Sequence, residues 1–220
     1  MDSEDISQRL LRAGTTTLSD ALDRLGIDGQ VLGIAPVART MRFAGRAYTV
    51  QMLPVGLTGG SVGDYIDEVQ PGEVVVIDND GRLDATVWGD ILTWVASRRG
   101  IAATVIDGVC RDSDRCVELN YPVFARGCTM RTGKDRVTAH AYNVPVQVAG
   151  VRVCPGDWLA GDADGVVCIP SANVSDLLLI AEEIEEKEAL IRVKIDEGVR
   201  LDEARRQLGY HTLQSNINKG

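Results

Sequence analysis

The chain has 220 residues, of which 45% are hydrophobic and 25% charged, the ordinary composition of a globular domain. Its formal net charge of −9 argues against nucleic-acid binding, because a surface that follows a phosphate backbone needs clustered Lys and Arg. The sequence has neither the basic start and apolar core of a signal peptide nor an apolar run of membrane length. We therefore expect one cytoplasmic domain over residues 1–220, with no membrane partner.

The cysteines predict neither a disulfide framework nor a zinc site, because their count is odd and no Cys-x-x-Cys spacing occurs. A thiol nucleophile would need a base, and His140 and His211 are the only histidines, so thiol catalysis is not expected. We interpret the five cysteines as small buried residues of a cytosolic chain: Cys110, Cys116, Cys128, Cys154 and Cys168.

The first third of the chain predicts two short helices, a strand and a glycine-rich loop. Helical segments cover 4–13 and 20–25, and Gly26 stops the second. Alternation of apolar residues predicts a strand over 42–54. The glycine-rich stretch 56–63 lacks the Gly-Lys-Ser/Thr of a phosphate-binding loop, so we interpret it as a flexible loop before a helix at 61–69.

The segment 71–112 predicts strands on both sides of a helix. An apolar strand at 74–77 precedes an Asp-Gly turn around Gly81, and a helix at 90–99 is stopped by Gly100. The next strand covers 101–106 and ends in a turn at Gly108. A ten-residue helix runs about 15 Å out and a strand of this length about 20 Å back. The helix start and the strand end are therefore expected to meet at one rim.

That rim brings Gly89, Asp90, Arg111 and Asp112 around a single pocket. The first amides of a helix have no partners inside it and form a site for a carboxylate. Arg111 offers a fork of donors that suits a carboxylate, and Asp112 is a hard oxygen ligand for an ion such as Mg²⁺. These groups together could bind a 2-oxo acid. The alternative is that Arg111 and Asp112 form a surface ion pair and that Asp90 only caps the helix.

The C-terminal half predicts a β-rich core followed by a long helix. Strands are expected at 122–125, as a pair within 144–153, and at 166–169. Arg131 and Lys134 lie in a polar loop that could meet a second carboxylate of a substrate. The domain core covers about 15–170, a helical region 171–208 and a polar tail 209–220. The helix over 171–197 could pack on its own domain or across a subunit boundary.

Several motifs resemble one family, that of the ribonuclease-activity regulator A-like proteins and the class II pyruvate aldolases. These aldolases act on 4-hydroxy-4-methyl-2-oxoglutarate and 4-carboxy-4-hydroxy-2-oxoadipate. The resemblance rests first on Gly89-Asp90 and Arg111-Asp112, which are separated by twenty residues. It extends over roughly 15–200, through the motifs at 19–22, 45–47, 105–108, 122–127, 155–157 and 162–167.

The resemblance implies a fold and an assembly. The fold would be an α/β/α sandwich with a barrel-like mixed β core, similar to the swivelling phosphohistidine domain, with a long C-terminal helix. The assembly would be a homotrimer or a hexamer formed as a dimer of trimers, with active sites at subunit interfaces.

The resemblance also implies a lyase that cleaves its substrate by a retro-aldol reaction through a pyruvate enolate. No lysine falls within 89–112, so a Schiff-base route has no obvious candidate and a metal must stabilise the enolate. Asp112 would bind Mg²⁺ or Mn²⁺, Arg111 would contact the pyruvyl oxygens, and Asp90 would orient a metal-bound water that acts as the base. Backbone amides would hold the substrate carboxylate, contributed by Gly89, Asp90, Ile91 and Leu92.

The same enolate chemistry would also decarboxylate oxaloacetate. Two alternatives stay open at this point. One is a non-catalytic regulator that binds and inhibits a ribonuclease, since the family contains such proteins. The other is a lyase that uses the same enolate on a different 2-oxo acid.

Overall fold

The computed structural model describes residues 2–56 and 61–210. The α-helices within these ranges are α1 (Ser3–Leu25), α2 (Asp90–Arg99), α3 (Ser113–Glu118), α4 (Val174–Asp196) and α5 (Leu201–Gln207). Short 3₁₀ helices cover Asp64–Glu68 and Ser171–Asn173. The strands are β1 (Gln30–Val31), β2 (Ala35–Pro36), β3 (Phe43–Pro54), β4 (Glu73–Thr86), β5 (Ala103–Cys110), β6 (Val123–Cys128), β7 (Val137–Tyr142), β8 (Val146–Val148), β9 (Val151–Val153), β10 (Trp158–Asp162) and β11 (Gly165–Ile169).

A mixed sheet of nine strands forms the centre of the domain, in the order β1-β11-β10-β3-β4-β5-β6-β2, with β7 paired to β3. Strands β3 to β6 run parallel to one another, and the remaining pairs are antiparallel. Parallel neighbours require crossover connections, and these carry the first 3₁₀ helix, α2 and α3 in turn. All eight residues of β5 are buried, as expected for a parallel strand covered on both faces.

The two edges of this sheet are joined by one short segment. Strand β1 pairs with β11 at one end of the strand order, and β2 pairs with β6 at the other end. Residues 32–34 alone connect β1 to β2, so the two edges lie close together and the sheet closes in a barrel-like way. The predicted mixed α/β fold with a central sheet is therefore confirmed. The likeness to the swivelling phosphohistidine domain stays a prediction.

Helix α4 packs on its own domain through one face, and its packing across a subunit boundary stays a prediction. Its buried apolar residues from Val174 to Ile184 pack against α1 and the face of β10 and β11. Two ion pairs join it to α1, Arg9 with Glu182 at 2.8 Å and Arg24 with Glu183 at 2.6 Å. None of the helices in the described ranges is long and apolar enough to cross a membrane.

The N-terminal region departs from the prediction of two separate helices at 4–13 and 20–25. Helix α1 continues from Ser3 to Leu25 and is interrupted only at Gly14, where φ is 75° and ψ is 162°. The second half restarts at once because Asp162 caps it. The carboxylate of Asp162 accepts from Thr15 N at 2.8 Å and from Thr15 Oγ1 at 2.6 Å.

The predicted turns at Gly81 and Gly108 do not end their strands. Strand β4 continues to Thr86 and β5 to Cys110, and their pairing shifts register at both glycines. The positive φ angles of 64° at Gly81 and 158° at Gly108 accommodate these irregularities as bulges, which a glycine tolerates in place of a turn. Strand β6 likewise extends three residues beyond the predicted 122–125, because it stays paired with β5 up to Cys128.

The helix predicted at 61–69 is only the 3₁₀ helix Asp64–Glu68. It stays short because Gly63 packs against Leu92 on one side and Val69 is already extended on the other. Residues 57–60 of the glycine-rich loop and 211–220 of the polar tail lie outside the described residues.

We predict that Asp162→Asn destabilises the domain in a pH-dependent way. Burial raises the pKa of Asp162. Hydrogen bonds from Thr15 and the Asp164 amide together lower it by more, so the pKa lies below its ordinary value. The ionised carboxylate therefore stabilises the fold at neutral pH, and this contribution is lost as the pH falls below about 4. The variant should lose about 1–2 kcal/mol at pH 7 by urea denaturation, the magnitude of a helix cap.

The matched control for this prediction is Asp164→Asn, which changes an exposed carboxylate and keeps the Asp164 backbone donor. It should unfold like the wild type at pH 7. A loss in Asp162→Asn that is equally large at pH 7 and pH 3 would contradict the role of the ionised carboxylate.

Candidate functional site

A cavity of about 350 Å³ opens where four parallel strands end. Its walls come from the connections that follow β3, β4, β5 and β6. The residues that line it are 61–64, 66–67, 86–92, 95, 111 and 132–133. Open parallel sheets bind ligands outside the carboxyl ends of their strands, because the connections there diverge and leave a crevice. The position of the cavity therefore follows from the topology.

The start of α2 and the end of β5 meet at this cavity, as the sequence predicted. The Asp90 amide donates to Asp112 Oδ2 at 3.1 Å, and the Arg111 amide donates to Trp88 O at 3.0 Å. Arg111 Nε lies 3.4 Å from the same Asp112 oxygen, and both side chains are 40% exposed. The predicted ion pair is therefore present too, and its Arg111 lines the cavity.

Gly89 makes this junction possible through its lack of a side chain. A Cβ at position 89 would lie 2.9 Å from Asp112 Oδ2 and 3.1 Å from Arg111 Nε. The first of these distances is shorter than real Cβ contacts, so a side chain at position 89 would require the Asp112 carboxylate to shift. The sequence had identified Gly89 for its amide alone.

Asp112 reaches the amide because its backbone turns sharply after β5. Its φ of 54° and ψ of 41° lie in the left-handed region, which Asp tolerates better than most residues. The Arg115 amide donates to Asp112 O at 3.0 Å and holds this turn at the start of α3. The turn directs the carboxylate back toward α2 instead of out along the strand direction.

The backbone of Gly89 rests on three side chains that the sequence did not single out. Trp88 is 2% exposed and stacks on Tyr121, with ring centroids 6.0 Å apart and planes inclined by 10°. Trp88 Nε1 donates to Thr93 Oγ1 at 2.9 Å, and Thr93 Oγ1 donates to Gly89 O at 2.9 Å. The position of Thr93, four residues after Gly89 on a helix, was the one available signal for this contact.

The amides at the start of α2 have two different environments. Thr93 N donates the first helical hydrogen bond, to Gly89 O at 3.0 Å, so the amides of residues 90–92 precede the helical ladder. The Asp90 amide donates to Asp112 in this structure, and its contact with a substrate carboxylate stays a prediction. Ile91 and Leu92 both line the cavity, and their amides are the ones placed for an anion.

The other predicted anion contacts lie beside the cavity. Arg131 Nη1 is 3.6 Å from Asp84 Oδ2, and Lys134 is exposed on the next turn. The wall of the cavity is formed by Thr132 and Gly133 instead. The loop between β6 and β7 therefore contacts the cavity through Thr132 and Gly133, and not through Arg131 or Lys134.

The surroundings of Asp112 suit a divalent ion that keeps most of its water ligands, and not an ion coordinated by several protein side chains. Over 2–56 and 61–210, no group of three or more His, Cys, Asp and Glu side chains is arranged to hold a metal ion. Asp112 supplies one solvent-accessible carboxylate, and Mg²⁺ commonly binds through one or two carboxylates while it keeps several waters.

We predict that Thr93→Val destabilises the fold by about 1–3 kcal/mol, because it leaves the buried Trp88 Nε1–H without its acceptor. Valine matches the shape of threonine, so packing should change little. Chemical denaturation monitored by tryptophan fluorescence measures the loss. The exposed Thr16→Val provides the matched control and should stay within about 0.5 kcal/mol of the wild type. An unfolding midpoint unchanged in Thr93→Val would rule out a structural role for this hydrogen bond.

Comparisons with known proteins identify the family of this chain. The model of the RraA-like family, described as Aldolase/RraA, matches residues 15–168. Protein DlpA from Legionella pneumophila is 38% identical over 218 residues, which cover 98% of this chain and 35% of that protein. The chain thus spans about a third of the length of DlpA.

A Halalkalibacterium halodurans protein with the provisional name 4-hydroxy-4-methyl-2-oxoglutarate aldolase is 37% identical over 164 residues, covering 74% of this chain and 76% of that protein. The crystal structure of RraAS2 from Streptomyces coelicolor superposes with a TM-score of 0.81 at 30% identity, covering 87% of this chain and 97% of that one. RraAS2 is described as an unusual member of the RNase ES inhibitor RraA protein family. The family resemblance that the motifs predicted is therefore confirmed.

Proposed function

This chain belongs to the RraA-like family, and we propose that it is a divalent-metal-dependent pyruvate aldolase. Its substrate would be a 4-hydroxy-2-oxo acid of the 4-hydroxy-4-methyl-2-oxoglutarate type, cleaved to pyruvate. The observation that carries this proposal is the junction of Asp90, Arg111 and Asp112 beside a cavity at the carboxyl ends of parallel strands. The provisional name of the H. halodurans relative supports the same reaction class.

The substrate carboxylate would bind at the start of α2. The amides of Ile91 and Leu92 precede the helical ladder and carry the positive end of the helix dipole. Arg111 lies on the same wall, and its planar fork can reach the carboxylate and the 2-oxo oxygen. The chain has a net charge of −9, so this local positive field is what would select an anionic ligand.

Cleavage requires a proton acceptor and a place for negative charge. The proton of the C4 hydroxyl leaves, the C3–C4 bond breaks, and its electron pair moves to the enolate of pyruvate, which is then protonated at C3. Asp90, exposed in the first turn of α2, would orient the water that takes the hydroxyl proton. Arg111 would stabilise the charge that develops on the 2-oxo oxygen. A Mg²⁺ or Mn²⁺ ion held by Asp112 would supply Lewis-acid stabilisation of the same charge.

One feature of the cavity supports this choice of mechanism. Among the described residues that line it, none is a lysine, so a Schiff-base route has no nucleophile there. The same stabilised enolate forms when oxaloacetate loses CO₂, so oxaloacetate decarboxylation would be a second activity of the site.

We propose further that copies of the chain assemble as trimers or dimers of trimers, with the cavity near a contact between them. Exposed apolar side chains on α2 and α3 support this, since Ile91, which lines the cavity, is 73% exposed, Trp94 46% and Val117 51%. Exposed apolar side chains that cluster in this way commonly mark an interface.

A non-catalytic regulator is the second candidate function. Its support is the similarity to RraAS2, whose family is described as inhibiting RNase ES. Such a protein would bind a ribonuclease through its surface and would not need the Asp112 carboxylate for turnover.

The test of the proposed function is pyruvate release from 4-hydroxy-4-methyl-2-oxoglutarate and from oxaloacetate, with Mg²⁺ or Mn²⁺ and with a chelator. We expect turnover that the chelator abolishes. Asp112→Asn should lower kcat/KM by roughly 100-fold or more, because it removes a charge at the reacting centre while an amide oxygen still accepts from the Asp90 amide.

Asp114→Asn, which neutralises an exposed carboxylate in the first turn of α3, is the matched control and should keep full activity. Turnover that is insensitive to chelator, or equal in Asp112→Asn and wild type, would refute the metal-dependent mechanism. The absence of turnover combined with ribonuclease binding would favour the regulator.

Gly89→Ala should reduce turnover while leaving the fold intact. The added Cβ would meet Asp112 Oδ2 at 2.9 Å and force the carboxylate and the guanidinium off the helix start. A loss in kcat/KM of about 100-fold is expected from such a displacement. Gly127→Ala, whose Cβ would meet nothing within 4 Å, provides the control in the same assay. Wild-type activity in Gly89→Ala would show that the close approach does not matter.

A further inference from the structure

The ends of β5 and β6 carry a pair of cysteines that the proposed aldolase reaction does not use. Cys110 and Cys128 are direct partners in the parallel pairing of the two strands. Their sulfur atoms are 3.6 Å apart. Residue 110 immediately precedes Arg111 and Asp112, so the pair lies directly behind the rim of the cavity.

The backbone geometry at this pair suits a disulfide. Neighbouring strands lie about 4.8 Å apart, and disulfides bridge Cα atoms that are about 4.4–6.8 Å apart. A bond requires the sulfurs to approach from 3.6 Å to about 2.05 Å, which small side-chain rotations and a slight closing of the strand ends can provide.

The two thiols differ in access to solvent, which assigns them different parts in an oxidation. Cys128 is exposed, against the expectation that all five cysteines are buried, because alternate residues of β6 face outward toward its end. Cys110 is buried, and its thiol donates to Gly127 O at 3.8 Å. An oxidant in solution therefore meets Cys128 first.

The remaining cysteines do not turn this pair into a metal site. Cys116 is engaged elsewhere, with its sulfur 3.5 Å from Thr93 Oγ1 and 3.9 Å from Asp112 O. Within the described part of the chain, no set of three metal-binding side chains is suitably grouped. Two thiols in contact, one exposed and one buried, are instead the arrangement of a reactive cysteine with its resolving partner.

We propose that Cys110 and Cys128 are an oxidation site that a peroxide closes into an intrachain disulfide. The Cys128 thiolate attacks one peroxide oxygen, the O–O bond breaks, and Cys128 becomes a sulfenic acid while hydroxide leaves and is protonated. The sulfur of Cys110 then attacks the Cys128 sulfur and displaces a second water. The sum is two thiols and one hydrogen peroxide giving one disulfide and two waters.

This disulfide would connect two walls of the cavity. Cys110 leads into Arg111, and the segment after Cys128 runs along the rim, where the Thr129 amide donates to Cys110 O at 2.9 Å. That segment continues to Thr132 and Gly133, which also line the cavity. Forming the bond draws the two strand ends slightly together and would therefore shift Arg111 relative to Thr132, so any ligand held between them would bind differently in the two redox states.

The experiment treats the reduced full chain with hydrogen peroxide, alkylates the remaining thiols with iodoacetamide under denaturing conditions, and digests with trypsin. The expected result is a cross-link between the tryptic peptides 100–111 and 127–131, with three alkylated cysteines elsewhere and reversal by dithiothreitol. Cys110→Ser and Cys128→Ser should each abolish the cross-link. Cys154→Ser, which removes a half-buried cysteine of another segment, should keep it.

The outcomes separate cleanly. Accumulation of sulfinic acid on Cys128 while Cys110 stays alkylatable would overturn the proposal, and so would a disulfide of Cys128 between two chains. The cross-link is read by mass and does not depend on aldolase turnover, so it can be confirmed even if the proposed reaction fails. If turnover is found, peroxide should change it reversibly in the wild type and leave it unchanged in Cys128→Ser.

Discussion

The site depends on one hydrogen bond, from the Asp90 amide to the Asp112 carboxylate, which joins the start of a helix to the end of the following strand. The contact satisfies an amide that a helix leaves without a partner, and it neutralises part of the positive helix end. It also fixes a carboxylate and a guanidinium at the mouth of a cavity. The glycine at position 89 leaves the space for this approach without any shift of the carboxylate, so backbone sterics and electrostatics favour the same geometry.

Much of this geometry was predictable from the sequence, because it follows from the lengths of α2 and β5 and from the glycines at the two ends of α2. The start of α2 after Gly89 and its stop at Gly100 are local features, and the lengths of helix and strand place their far ends together. The conformation at Gly108 could not be predicted from its neighbours in the sequence. A glycine after an apolar strand predicts a turn, yet β5 continues because bulged β4 stays beside it on one side and β6 on the other. Partners distant in sequence decide between a bulge and a turn.

The support beneath the site was predictable only in part, for the same reason. Trp88 stacks on Tyr121, thirty-three positions later, and nothing in either neighbourhood marks the pair in the sequence. The two residues belong to the consecutive connections β4–β5 and β5–β6, whose helices α2 and α3 contact each other. The exposure of Cys128 follows likewise from how far β6 extends, which the apolar run 122–125 underestimated. Side-chain types therefore identified the site, whereas the sheet register determined its surroundings.

The pairing of Arg111 with Asp112 has a further consequence for the proposed chemistry. A divalent cation on Asp112 would lie close to a guanidinium, and two like charges at that distance repel each other. An anionic 2-oxo acid between them offsets the repulsion, because its carboxylate and 2-oxo oxygens attract both. Cation and substrate should therefore each strengthen the binding of the other, and thermodynamic linkage makes this effect reciprocal. On this argument the ion pair holds the site together in the resting state, and substrate replaces part of that contact when it binds.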